Sequence, residues 1–261
     1  MLKTIERMNN FFRDLKQRNR LLYWFGWYNF AMAIGCLVLM QFDEVQILGI
    51  NRWIKPMKFF LSVGIMVWTM GWIMYYLQYK RAVRTCSWLI VITMFIENFI
   101  ITLQSARGER SHFNVHVPLN AMFFSIMGIF IVLFTFTAIY IAILFFRQKQ
   151  FSIPLPYLWG IRLGLLVFIF FTSEGGMMVA KMAHTIGGPD GGPGLPLVNW
   201  STRYGDLRIA HFFGMHSLQI LPLFGYYVAK NKNHTILFST IYFAFVMFLF
   251  VQAMAGKSFF Y

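Results

Sequence analysis

Stretches of apolar residues long enough to cross a bilayer recur along this chain, separated by connectors rich in Lys, Arg, Gly and Pro. A helix needs about 20 such residues to traverse a hydrocarbon core about 30 Å thick. Seven segments meet that length: 21–40, 57–78, 86–106, 119–146, 157–183, 208–229 and 235–256. They predict an all-α fold, a polytopic transmembrane bundle of about seven helices forming one domain over residues 21–261. The fourth segment is long enough to tilt or to project beyond the membrane. No internal repeat is evident, so an inverted-repeat transporter gains no support.

Composition agrees. Only 12% of residues are charged and 58% are hydrophobic, whereas a soluble domain carries about 25% charged residues. The net charge of +14 would point to nucleic acid in a soluble basic domain. Here it belongs to loops that flank spans and meet anionic headgroups. The expected partner is therefore the lipid bilayer, with no nucleic acid. Cys36 and Cys86 fall near opposite membrane faces. A disulfide needs Cα atoms within about 7 Å, so both read as packing residues.

Residues 1–20 read as an amphipathic helix on the membrane surface rather than a cleavable signal peptide. Ile5, Met8, Phe12 and Leu15 recur at helical spacing, and Lys3, Arg7, Arg13, Lys16, Arg18 and Arg20 supply the polar side. With a cytoplasmic N-terminus, thirteen Lys and Arg lie inside and nine outside. The positive-inside rule then gives N-in, C-out, a bias that rests on the N-terminal tail.

Five of the six histidines, His112, His116, His184, His211 and His216, fall on the predicted outer face, and only His234 falls on the other. Reversing the orientation leaves the five together. Neutral imidazole ligates metals and haem iron and moves protons near neutral pH. His112 and His116 have the i, i+4 spacing of a shared helix face, but Pro118 disfavours helix at Val117. His211 and His216 are separated by about 140° on a helix, so one ion held by both would need a distorted helix.

Two carboxylates lie within spans, Glu97 in the third and Glu174 in the fifth. Ionisable groups at that depth are expensive and mark functional sites by default. Glu97, Gln104 and Ser105, with Arg107 beyond, form a polar stripe rising toward Asn114 in the outer loop. Asp206 is a candidate N-cap for the sixth span, ahead of Arg208 and Gln219. Interhelical hydrogen bonding is the plainer role for Gln104 and Gln219. Close packing explains Gly160 and Gly164. The Gly- and Pro-rich stretch 187–196 cannot form regular helix or strand. A loop that long is a flexible connector or a functional lid. No Walker loop, dinucleotide fingerprint or paired-cysteine motif occurs. A retinal protein would need a lysine deep in the last span, whereas Lys257 stands at its end.

The strings Arg107-Gly108 with Ser111-His112-Phe113-Asn114, and Gly205-Asp206-Leu207-Arg208 with His211-Phe212-Phe213-Gly214-Met215-His216, Gln219 and Leu221-Pro222, resemble a family of uncharacterised bacterial inner-membrane proteins. The resemblance is strongest over spans 3–6. It implies a bacterial source, a multi-pass fold and the inner membrane, and brings no activity with it.

Three readings follow. In the first, the histidines at the outer ends of spans 3–6 hold haem or a transition metal ion for redox chemistry. His184 with His211 or His216 would be ligands, and Glu97 or Glu174 would relay protons. In the second, the chain is a carrier or sensor for a proton or small molecule. Arg107 and Arg208 would suit an anionic ligand. In the third it is a non-catalytic scaffold. A quinone or another small molecule is the expected soluble-phase or lipid-phase partner.

Overall fold

The computed structural model describes residues 2–260, with side chains from Asn9 onward. The chain is all-α: α1 (Leu2–Arg18), α2 (Arg20–Leu39), α3 (Ile54–Ile73, extended by a tight turn at Met74–Tyr76), α4 (Lys80–Ala106), α5 (Pro118–Arg147), α6 (Leu155–Lys181), α7 (Leu207–Tyr227) and α8 (Lys232–Met254). Two-residue strands β1 (Gln46–Ile47) and β2 (Ile50–Asn51) make a hairpin, and β3 (Thr185–Ile186) pairs with β4 (Gly205–Asp206). Six helices, α2 to α6 and α8, are long and apolar enough to cross a membrane. The protein is therefore a polytopic membrane bundle.

The seventh expected span, α7, is less apolar because it carries Arg208, His211, His216 and Gln219. Its packing shows what it does. A Cβ placed on Gly160 of α6 would lie 2.5 Å from the Leu221 carbonyl oxygen, and one on Gly164 would lie 2.9 Å from that of Ser217. Gly175 faces His211, Gly214 sits under the Phe171 ring, and Gly225 meets the Pro156 carbonyl. Contacts in this order show α7 running antiparallel to α6 along its length, so it covers the same depth. The Gly160–Gly164 pair expected to permit close packing does so, and the Ser217 hydroxyl donates to the Gly164 carbonyl at 3.0 Å.

Helix α1 lies across the near ends of α2 and α3. Leu15 is fully buried, and Phe11 stacks on Trp72 at 5.2 Å between ring centroids. The Arg18 guanidinium lies 3.8 Å from the Trp72 ring centre, a cation–π contact. The amphipathic stripe is thus seen at Phe12 and Leu15; Ile5, Met8, Lys3 and Arg7 lie outside the described side chains. Asn19 separates α1 from α2. Its side-chain oxygen accepts from the Leu22 N–H at 3.1 Å while its amide donates to Ser87 of α4 at 2.8 Å.

The two ends of the bundle differ. At the N-terminal end the connectors are short, residues 77–79, 148–154 and 228–231. The main apolar core fills this half: Leu22, Phe25, Val67, Met70, Met74, Ile90, Phe134, Ile141, Phe145, Ile161, Phe168 and Leu218 are all buried. At the opposite, loop-rich end the connectors are residues 40–53, 107–117 and 182–206. The 182–206 loop is strapped down rather than free. The Lys58 ammonium donates to the Val198 carbonyl at 3.1 Å, the Asn199 amide to Leu48 at 3.4 Å, and β4 packs against Ala253 of α8.

The glycine interface gives a direct prediction. Gly160→Ala must push backbone against backbone and should cost about 1–3 kcal/mol, seen as a lower melting temperature in detergent. Gly128→Ala, with nothing within 4 Å of its added Cβ, should be neutral or mildly stabilising. Equal melting temperatures for the two variants would contradict the α6–α7 packing.

Candidate functional site

The loop-rich half is polar inside. Three of the five grouped histidines converge there, each beside a carboxylate. His211 of α7 is 3.1 Å from Glu174 of α6 through Nδ1. His184 is 3.1 Å from Asp190 through Nδ1. His112 presents Nε2 to Glu97 of α4 at 4.0 Å. His184 and His211 both lie close enough to His112 for their charges to act on it.

Hydrogen-bond chemistry assigns the tautomers. A carboxylate only accepts, so His184 and His211 donate from Nδ1, with Nε2 on the far side of each ring. The Lys55 ammonium only donates, and it lies 3.2 Å from His112 Nδ1. His112 Nδ1 is then the acceptor and its N–H is on Nε2, facing Glu97. Lys55, His112 and Glu97 form a chain from the first turn of α3 to the middle of the bundle.

Lys55 and Lys58 are two of the nine outer-face charges of the topological count, and they are the principal site residues that sequence reasoning misses. A signal existed. They stand three residues apart in the first two turns of α3, whose first turn has no acidic residue. Cations there oppose the helix dipole. Neither has a carboxylate within ion-pair distance among the described residues. Arg208, Glu97 and Asp190 are within electrostatic reach of Lys55.

Of the two membrane carboxylates, Glu174 is half-satisfied by His211, and Glu97 lies 4.0 Å from His112 Nε2, beyond hydrogen-bond reach. Glu97 is 5% and Glu174 6% exposed, yet Glu97 Oε2 and Glu174 Oε1 are buried with no hydrogen-bond partner in the protein. An unpaired buried polar atom costs about 1–3 kcal/mol, more when charged. Meanwhile the enclosed His112 keeps 26% of its side-chain surface open and His211 32%. His211 shares its helix face with Met215 and Gln219, and Gln219 donates to Thr69 of α3 at 3.0 Å. Through Gln219 that side of α7 reaches α3.

The remaining sequence candidates have other surroundings. Gln104, Arg107 and Asn114 form a clasp with Glu109 and Asn120. Arg107 donates to Gln104 at 2.6 Å, Gln104 to Asn120 at 3.0 Å, and Asn114 to Glu109 at 2.9 Å. The clasp shapes the 107–117 loop and holds Ser111 and His112 in place. Asp206 caps α7, accepting from the Arg208 N–H at 3.0 Å and from its guanidinium at 2.6 Å. It also accepts from the Ser201 N–H at 2.8 Å. His116 is exposed and lines a separate surface cleft of about 400 Å³ with Gln46, Glu109 and Arg110. The residues from His112 to His116 are not helical, so the i, i+4 pairing is not realised. Val117 is extended, with φ −115°, as expected before proline. His216 turns away to Gln219 at 3.2 Å and stacks on Phe212. Among the described residues, no group of three His, Cys, Asp or Glu side chains is placed to hold a metal ion.

Burial sets the protonation of the loop histidines. It pushes His112 well below the ordinary imidazole value, helped by the nearby Lys55 charge. Burial and the Arg208 charge together lower His184 to about 4 despite Asp190. Folding thus favours both neutral forms. Their contribution to stability is complete above the ordinary imidazole value of about 6.5 and is lost as pH falls toward 4. Thermal melts in detergent should therefore show stability falling between pH 6.5 and 4, with a shallower fall in His184→Gln. An identical pH profile for that variant would refute the assignment.

No protein-family model, no curated protein and no solved structure matches this chain.

Proposed function

We propose that this protein is a membrane carrier for small solutes bearing an acidic group, which bind among the polar side chains of the loop-rich half. One observation carries the reading: Lys55 and Lys58 are part-buried there without a carboxylate at ion-pair distance among the described residues, which suits an acidic group as counter-ion. An apolar core fills the opposite half, and the 182–206 loop is strapped to Lys58 and Leu48. Arg107 and Arg208, the basic residues that the sequence offers for this role, are engaged by Gln104 with Asn120 and by Asp206.

The test is ligand-dependent stabilisation of the purified protein by acetate and inorganic phosphate, followed by uptake into proteoliposomes. A ligand at a hundred times its Kd adds about 2.7 kcal/mol, or a rise in melting temperature of several degrees. At least one anion should stabilise the wild type. Lys55→Ala should abolish that gain, and Arg107→Ala should keep it. Stabilisation without uptake would make the protein a sensor. Indifference of the wild type to both anions, or an undiminished response in Lys55→Ala, would sink the reading.

A second reading has one observation in its favour. The Nδ1 atoms of His184 and His211 are held by carboxylates, the orientation usual for metal-bound histidine, which leaves both Nε2 atoms for a transition metal ion or haem iron. Glu97 and Glu174 would then relay protons for redox chemistry. This reading predicts near-stoichiometric metal in the purified protein, lost in both His184→Ala and His211→Ala and kept in His234→Ala. Elemental analysis with an absorption spectrum measures it, and equal metal content in all three would count against it.

A further inference from the structure

Arg162 lies seven residues beyond Leu155, the start of α6, or about 10 Å along the helix axis at the ordinary rise. It is on the outward side of that helix. Leu155, Leu166 and Phe170, at helical spacings of seven, four and eight from it, are all exposed. Gly160 and Gly164, which touch α7, are on the opposite side. The guanidinium is nonetheless fixed. Its Nε donates to the Phe145 carbonyl at 3.0 Å. The rings of Phe146, Phe151 and Trp159 have their centres 5.2, 5.7 and 5.6 Å from Cζ. Aromatic faces favour a cation. Nη1 and Nη2 have no hydrogen-bond partner among the described residues, yet neither is buried.

A guanidinium at that depth is costly without a counter-charge, and the described residues supply none. No carboxylate lies at ion-pair distance from Arg162, and residues 110–173 contain no Asp or Glu. The charge in the adjoining connector is of the same sign. Arg147 ends α5 and Lys149 follows, both exposed. Gln148 between them pins the connector, accepting from the Gln78 N–H at 2.8 Å and donating to the Tyr76 carbonyl at 3.0 Å. Lys80 and Arg81 stand just beyond Gln78.

Three features select the missing counter-ion. Two free Nη atoms match two oxygens of one phosphate, the bidentate pairing that guanidinium favours. Arg147 and Lys149 favour a headgroup of net negative charge. Leu166 and Phe170 continue the outward side of α6 deeper into the membrane, where an acyl chain can lie. We infer that Arg162 is the centre of a binding site for an anionic phospholipid, with the guanidinium on the lipid phosphate and an acyl chain along Leu166 and Phe170. A free phosphate ion would answer the guanidinium and leave that apolar track unused.

Native mass spectrometry of the full chain, stripped of lipid in detergent, tests this. Phosphatidylglycerol and phosphatidylcholine with the same acyl chains are titrated separately, and inorganic phosphate is added in competition. The wild type should bind phosphatidylglycerol roughly fivefold more tightly than phosphatidylcholine. Arg162→Gln should remove most of that preference. Arg162→Lys, which keeps the charge but not the planar fork, should fall between. Arg13→Gln, which removes an exposed charge from α1, should leave the preference intact. A thermal melt confirms that each variant is folded, and the comparison of the two lipids on the wild type needs no variant. Equal binding of both lipids by the wild type overturns the inference. So does an equal loss in Arg162→Gln and Arg13→Gln, which would mean diffuse surface charge. Displacement of the lipid by millimolar inorganic phosphate would mark a free-ion site and overturn it as well.

Discussion

The cost of taking charge out of water governs the loop-rich half of this protein. A membrane bundle can fill its interior with aliphatic and aromatic side chains, and the N-terminal half does so. In the other half, two glutamates, two lysines and three histidines have been brought inside. Each demands a counter-charge, a hydrogen bond or a change of protonation. The long connectors meet part of that demand. The 107–117 loop delivers His112 to Lys55, and the 182–206 loop delivers Asp190 to His184 and a carbonyl to Lys58. What they leave unmet is the demand of the second oxygens of Glu97 and Glu174.

The helices themselves follow from simpler forces. In lipid, helices gain little from hiding apolar surface against one another, so association depends on close approach and on a few hydrogen bonds. Glycines at positions 26, 64, 160, 164, 214 and 225 let rings or backbone of a neighbour come near. The tightest of these interfaces joins α6 to α7. That is how a helix carrying an arginine, two histidines and a glutamine is held at membrane depth without being strongly apolar itself.

The span pattern was legible because the length of an apolar run is a one-dimensional property. The glycine pair at 160 and 164, the cap at Asp206 and the extended Val117 were legible because each is local. The grouping of histidines on one face was legible from topology alone. Which of them converge was not. His112 and His116 part company because the loop never becomes helix. His211 and His216 part company because His211 meets Glu174 of α6, whereas His216 meets Gln219 and Phe212 of its own helix. Lys55 and Lys58 were hidden by their resemblance to ordinary basic flanks of a span. Asp190 was hidden within a glycine-rich run that gave no sign of where it would fold. These are facts about long-range contact, and no spacing in the chain encodes them.

The unequal tethers at the two ends have a mechanical consequence. The pairs α3–α4 and α7–α8, joined by three and four residues, cannot separate at that end without unravelling a turn, and α5–α6 is joined there by seven, whereas helices joined by residues 107–117 or 182–206 can move apart further while staying connected. The bundle is built like a book bound along one edge. Any widening of the interior must occur at the fore-edge, with the short connectors and the arginine–tryptophan stack of α1 acting as the spine. A cross-link between distant helices at the bound edge would leave such a movement free, while the same cross-link at the open edge would stop it.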